Sequence, residues 1–225
     1  MTQEDVHFVD KSAESEVGSP ADSAVSVPTL SKPGLLVMDV DSTLIDEEVI
    51  DELGVVAGCG EEIAGVTARA MRGELEFCDA LRARVALLEG LPISVFDTVH
   101  DKLHFTKGAL ELIDTLHEHG WKIGVVSGGF HEVVDMLAAE SHIDYWIANR
   151  LEVEDGHLTG KVLGEIVCKT VKLHALQTWA DRLGIPMIQA AGLGLAFCAK
   201  PKTQLAADKA INDRDLTHVL DYLRR

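Results

Sequence analysis

The sequence predicts an α/β domain built on a parallel sheet and interrupted early by a helical insertion. Three observations carry this prediction. A short unbroken apolar run, GLLVM, ends at the aspartate pair Asp39 and Asp41. About sixty residues of helical periodicity without a convincing strand follow. Strand and helix patterns then alternate to the end of the chain.

Residues 1–31 hold six acids against one lysine, with several Ser and Ala and two prolines, and are expected to form an acidic, disordered tail. From Gly34, the continuous apolar run is the pattern of a strand buried on both faces, as in parallel sheets. In DEEVIDELGVVAG, Val49, Ile50, Leu53 and Val56 recur at helical spacing, as do Leu75, Cys78, Leu81, Val85 and Leu88 further on. Residues 46–103 therefore form the helical insertion, and 32–45 together with 104–225 form the core. KGALELIDTLHEHG is a helix closed by Gly120, WKIGVVS a strand, FHEVVDMLAAE a helix and DYWIA a short strand. This βαβ order implies parallel pairing through right-handed crossovers. LEVEDGHLTGKV forms a hairpin on the Asp155-Gly156 turn, whose residues tolerate positive φ. A helix at about 170–183, a short strand at GLGLAF and a closing helix at DLTHVLDYLRR complete the chain.

With 225 residues, 47% of them hydrophobic, the chain can bury a substantial core. Its net charge of -17, with only 20 Lys and Arg, opposes binding to nucleic acid or an anionic membrane surface. An anionic small molecule would need a local cationic pocket. No apolar run is long enough to span a bilayer and the acidic N-terminus lacks an apolar signal core, so a cytoplasmic location is expected. Cys59, Cys78, Cys168 and Cys198 are widely separated without Cys-x-x-Cys, and are expected to be reduced, mostly packing thiols.

The chemistry begins at Asp39 and Asp41. Alternation in an extended chain points both to one side, at the carboxyl end of the first strand, where open α/β sheets bind ligands. Two carboxylates so close require a cation between them or a proton on one of them. Both occur when a carboxylate attacks phosphorus, a divalent cation neutralises the phosphate and the second carboxyl protonates the leaving alkoxide. An isolated Asp-x-Asp more often caps a turn or helix. The buried strand before this pair and Ser42-Thr43 after it favour the chemical role.

DVDSTLI resembles the first signature of phosphatases of the haloacid-dehalogenase (HAD) superfamily, and DVDSTLIDEEVIDELG resembles the branch acting on phosphoserine. AMRGELEF, LRARVALLEGLP, VVSGGF, ANRLEVEDGHLTG and AFCAKP follow in that branch's order and spacing, so the resemblance extends from Leu35 to the C-terminus. It implies a HAD-like Rossmannoid parallel sheet with an inserted helical cap. The implied activity is Mg²⁺-dependent hydrolysis of O-phospho-L-serine to L-serine and phosphate through an aspartyl-phosphate, the last step of serine biosynthesis. The alternatives are another small phosphomonoester as substrate, or a catalytically impaired pseudophosphatase.

By the same resemblance, Asp39 is the nucleophile and a Mg²⁺ ligand. Asp41 is the general acid/base and meets the metal through its backbone carbonyl. Ser127 and Gly128 bind phosphate, where a Gly-Gly turn and the start of the next helix suit an anion. Lys172 neutralises aspartate and phosphate, with Lys169 as its neighbouring competitor. Glu48 and Arg84 meet the substrate ammonium and carboxylate, and Met71 and Phe77 line the cap. Glu48 would equally suit a helix start, Arg84 a solvated face, and Met71 and Phe77 a core. A serine-hydrolase elbow at Ser127 is disfavoured because Val125 stands where Gly-x-Ser-x-Gly requires glycine. His100 and His104 have the i,i+4 spacing of some zinc sites but no glutamate base between them, and suit a solvated helix or hinge. AGLGLAF, with Gly-x-Gly alone, is no dinucleotide fingerprint.

One departure stands out. Between LGIP and MIQAAGLG the family pattern has a buried strand ending in GDGANDI-like sequence, whose aspartates supply and support the last protein ligand to Mg²⁺. Here Pro186 is followed directly by Met187, so a loop and strand of about fourteen residues are missing. Loss of a strand beside the first one should leave unpaired edges and an underfilled core.

Overall fold

The computed structural model describes residues 28–184 and 193–224. Most of the acidic tail and the Pro186–Met187 junction lie outside the described residues. Strand β1 (Leu35–Met38) pairs in parallel with β2 (Lys122–Phe130), Leu36 opposite Ile123 and Met38 opposite Val125. β2 pairs in parallel with β3 (Tyr145–Glu154), which turns back as antiparallel β4 (His157–Leu163), giving the order β1-β2-β3-β4. The Asp155-Gly156 turn has φ of 49° and 75°, as the hairpin pattern predicts. The predicted DYWIA strand and the first arm of the hairpin are one continuous strand. β3 exchanges its parallel partner for an antiparallel one partway along, which a local apolar pattern does not reveal.

Period-2 alternation assigns each strand residue to a face. Leu36, Met38, Ile123, Val125, Trp146 and Ala148 join the main core, where helices α5 (Ala109–Glu118) and α6 (His131–Glu140) contribute Leu112, Leu116, Val133 and Leu137. Leu35, Val37, Val126, Tyr145 and Ile147 point to the opposite face, beneath α7 (Lys169–Arg182) with Ala175 and Trp179. The Trp179 ring stacks on Tyr145 at 5.6 Å and covers Gly124, where an added Cβ would come within 2.7 Å of it. A side chain at position 124 would lift α7 off the sheet.

Helices α1 (Val49–Ala57), α2 (Gly60–Met71), α3 (Phe77–Ala86) and α4 (Val95–His100) fill the predicted insertion. An Ile45–Phe105 bridge joins its two ends, and a Pro92–His157 bridge ties it to the hairpin. His100 and His104 do not converge. His100 Nε2 lies 3.2 Å from Glu140, whereas His104 Nδ1 lies 2.7 Å from Glu47.

The C-terminal segment departs from expectation. β5 (Leu195–Phe197) forms as predicted, but it pairs only with the unforeseen β6 (Lys209–Ile211) in a separate two-stranded ribbon. Helix α8 (Pro201–Ala206) connects the two, and the closing helix is a 3₁₀ turn at Leu216–His218 followed by α9 (Val219–Leu223). Among the described residues, β1 has a strand neighbour on one side only. This corrects the expectation for GLLVM: all four β1 residues are half-buried rather than buried, because among the described residues β2 alone flanks the strand.

Candidate active site

The carboxyl ends of β1 and β2, the first turn of α7 and the insertion helices enclose a cavity of about 980 Å³. Asp39, leaving β1, accepts from Val40 N at 2.9 Å through Oδ1 and from Lys172 Nζ at 2.7 Å through Oδ2. The chain then makes a wide turn over Val40–Leu44, in which Ser42 takes φ of 55°, and Asp41 is carried under the start of α1. There its Oδ1 accepts from Val49 N at 3.0 Å. Burial is the largest influence on Asp41 and pushes its pKa up to about 7. Glu48 and Asp39 add to the rise, against the Val49 N–H and Lys172. The paired carboxylates thus reside in different states: one ion-paired, one near half-protonation at neutral pH.

Ser127 is fully buried and does not line the cavity. Its Oγ accepts from Gly129 N at 2.8 Å, and Gly128 and Gly129 form the cavity wall above it. Gly129 leaves the room these groups occupy: an added Cβ would sit 3.0 Å from both Asp41 Oδ2 and Ser127 Oγ and crowd them. Gly128 lies under the Phe77 ring of α3, so an insertion helix meets the core across the cavity. Lys172 and Lys169 both line the cavity, and Lys172 is the one that pairs with Asp39.

Glu48, the residue before α1, accepts from Ser42 Oγ at 2.7 Å. Arg84, near the end of α3, donates to Ala80 O at 3.3 Å and to Thr67 Oγ1 at 3.5 Å. Burial lowers the Arg84 pKa, and Asp51, Glu48 and Asp41 oppose the shift. Met71 and Phe77 line the cavity with substantial exposure and are not core residues. The fold therefore gathers Asp39, Asp41, Glu48, Met71, Phe77, Arg84, Gly128 and Lys172 into one cavity, with Ser127 directly behind its wall.

Several supporting residues escaped the sequence reading. Buried Asn149 donates to Gly128 O at 2.8 Å and Gly129 O at 3.2 Å, and accepts from Val167 N at 2.8 Å, joining the glycine turn to the approach to α7. Arg214 donates to Asp46 Oδ1 at 2.7 Å and Ser42 O at 3.4 Å, tying the C-terminal segment to the turn that carries Asp41. Cys168 is not a packing thiol. It precedes α7 and lines the cavity, and the Val171 and Thr170 N–H groups lower its pKa.

Asp39 and Asp41 offer hard oxygen ligands of the type Mg²⁺ takes together with substrate phosphate and water. They fit as a sparse set, because no cluster of three His, Cys, Asp or Glu able to hold a metal occurs among the described residues. No helix among them is long and apolar enough to cross a membrane.

Known proteins resemble this chain over most of its length. The family model of haloacid dehalogenase-like hydrolases matches residues 36–192. A phosphoserine phosphatase of Streptococcus thermophilus is 55% identical, covering 84% of this chain and 95% of its own, and one of Lactococcus lactis is 52% identical, covering 86% and 97%. The first alignment spans 205 positions, more than 84% of 225 residues can supply, so the relative carries positions this chain lacks. A solved structure described as a phospho-aspartyl intermediate analogue of phosphoserine phosphatase superposes with a TM-score of 0.79 at 40% identity, covering 85% of this chain and 99% of its own.

Proposed function

Because this chain belongs to the haloacid dehalogenase-like hydrolase family, we infer that it hydrolyses O-phospho-L-serine to L-serine and phosphate, as a cytoplasmic enzyme. The observation that carries the reading is the placement of Asp39, ion-paired to Lys172, and protonatable Asp41 in a cavity that also holds Glu48 and Arg84.

An Asp39 carboxylate oxygen attacks phosphorus, forming an aspartyl-phosphate as the seryl oxygen–phosphorus bond breaks. Asp41, as the acid, gives its proton to the departing seryl oxygen. It then takes a proton from the water that attacks the aspartyl-phosphate, releasing phosphate and regenerating Asp39. Its pKa of about 7 keeps both forms available at neutral pH. Lys172 orients Asp39 through its ion pair and brings positive charge to the incoming phosphate. The Gly128-Gly129 turn, braced by Ser127 Oγ on the Gly129 N–H and by Asn149 on both carbonyls, forms the wall on the phosphate side of the cavity.

Glu48 and Arg84 receive the ammonium and carboxylate of the amino acid, while Met71 and Phe77 exclude water from above. We assign α1–α4 as the cap and the remaining elements as the core. Asp39 and the Asp41 carbonyl would hold Mg²⁺, which when bound neutralises phosphate charge. Among the described residues, the one strand neighbour of β1 and the sparse donor set favour a second reading, in which the same site binds substrate but turns it over poorly. Phosphate release from L-phosphoserine and several other small phosphomonoesters, with and without Mg²⁺, tests both. Preferential Mg²⁺-dependent release from phosphoserine supports the enzyme, and binding without release supports the second reading.

A further inference from the structure

The AFCAKP stretch has no role in the mechanism above, yet its lysine reaches the cavity. Lys200 follows β5 and immediately precedes α8, where Pro201 opens the helix, and it lines the cavity together with Arg84 and Lys172. Its Nζ donates to the Met71 thioether at 3.2 Å, linking the C-terminal segment to the end of α2. A thioether is a weak acceptor for an ammonium. Among the described residues no carboxylate lies within ion-pair range of Lys200, in a chain of net charge -17. Lys172 is already committed to Asp39, and Arg84 spends two of its donors on Ala80 and Thr67.

We propose that Lys200 is a specificity-determining residue that binds the substrate's carboxylate: its ammonium leaves the Met71 sulfur for the carboxylate of the bound amino-acid phosphate. The side of the cavity supports this choice over the phosphate. Lys200 stands against Met71 at the end of α2, on the insertion helices that also supply Arg84 to the cavity, whereas the cation paired with Asp39 is Lys172. Exchanging a thioether for a carboxylate gives a charge-assisted bond, made only when the substrate carries that carboxylate. The proposal rests on the phosphoserine reading of the site.

The test is calorimetric titration of the full chain with L-phosphoserine and with O-phosphoethanolamine, which lacks the carboxylate. Lys200→Ala and Lys200→Met should each weaken phosphoserine about tenfold and leave phosphoethanolamine within about twofold, while Lys200→Arg keeps most of the preference. Lys200→Met retains the aliphatic stem against Met71, which separates charge from packing. Equal weakening of both ligands, or an unchanged preference in Lys200→Ala, overturns the proposal. A wild-type chain that shows no preference for phosphoserine overturns the substrate reading as well, a result visible before any variant is made.

Discussion

Lys172 Nζ donates to Asp39 Oδ2 across 2.7 Å, bringing the first turn of α7 onto the end of β1 from 133 positions away in the chain. The pair distinguishes the two carboxylates of the Asp-x-Asp sequence by their partners, since Asp39 meets a lysine and Asp41 the Val49 N–H. Asp39→Asn should abolish turnover, because an amide forms no acyl-phosphate, and mass spectrometry should find no phosphorylated species in it. Lys172→Met should keep the fold but lose on the order of 10²-fold or more in phosphate release, the scale of a lost charge stabiliser. Near-normal turnover of Asp39→Asn would sink the mechanism.

Asp41 makes the pH dependence specific. A proton is needed on Asp41 to expel the seryl oxygen, so kcat/KM for phosphoserine should fall as pH rises above about 7. An aryl phosphate, whose leaving group departs without a proton, should show a shallower fall. Asp41→Asn should cost about 10²-fold or more with phosphoserine and less with the aryl ester. Stability follows the same sign. The folded pKa lies above the unfolded one, so Asp41 contributes most below about pH 4 and loses that contribution as pH rises through about 7. In metal-free buffer, Asp41→Asn should therefore gain in Tm relative to wild type between those limits. Parallel Tm curves would show that burial is not what shifts Asp41.

Much of this site was legible because chemistry concentrates at strand ends. Asp39, Asp41 and the Gly128-Gly129 turn follow apolar runs whose period names their element. Glu48, Met71, Phe77 and Arg84 were reachable only through family resemblance, because helical spacing cannot say whether an exposed face meets solvent or a cavity. Asn149 and Arg214 left no local signal, since their partners at Gly128 and Ser42 are distant in sequence and backbone acceptors carry no residue identity. The error at β1 has a non-local cause too. The run LLVM specifies a strand, but how deeply it is buried depends on whether a second neighbour exists elsewhere in the chain.

Glu48 and Arg84 carry the selectivity prediction. Glu48→Gln and Arg84→Ala should each raise KM for phosphoserine more than KM for a phosphate ester lacking both ammonium and carboxylate. The difference should be about 1.5–3 kcal/mol per lost charge-assisted contact. Equal losses with both substrates would reassign these residues to general cap closure.

Asn149 should matter to fold and site together. Its amide satisfies the Gly128 and Gly129 carbonyls and its oxygen satisfies Val167 N, all away from solvent. Asn149→Ala should destabilise by about 2–4 kcal/mol in urea unfolding and weaken inorganic phosphate binding. Asn149→Asp should be worse at neutral pH, because it turns a carboxylate oxygen toward two carbonyls. A surface-like loss under about 0.5 kcal/mol for either variant would contradict the bracing role.

The last prediction concerns the edge of β1. Asp39 leaves a half-buried strand with one described neighbour, and β5 pairs in a separate ribbon. In the family pattern, the loop and strand missing between Pro186 and Met187 carry the further aspartates at this point. Without them Mg²⁺ has a sparse anionic anchor, so activity should require high Mg²⁺ and saturate weakly. Grafting the corresponding segment of the Streptococcus thermophilus relative between Pro186 and Met187 should lower the Mg²⁺ concentration for half-activity by about tenfold or more. It should also raise Tm in metal-free buffer, because a strand on the side of β1 where no described strand pairs would satisfy backbone groups and bury the LLVM side chains. The metal-free arm separates strand pairing from ligand linkage, which raises Tm only when Mg²⁺ is present. If the ungrafted chain already saturates at the same Mg²⁺ concentration as the graft and melts at the same temperature, neither the metal site nor the sheet needs the missing segment.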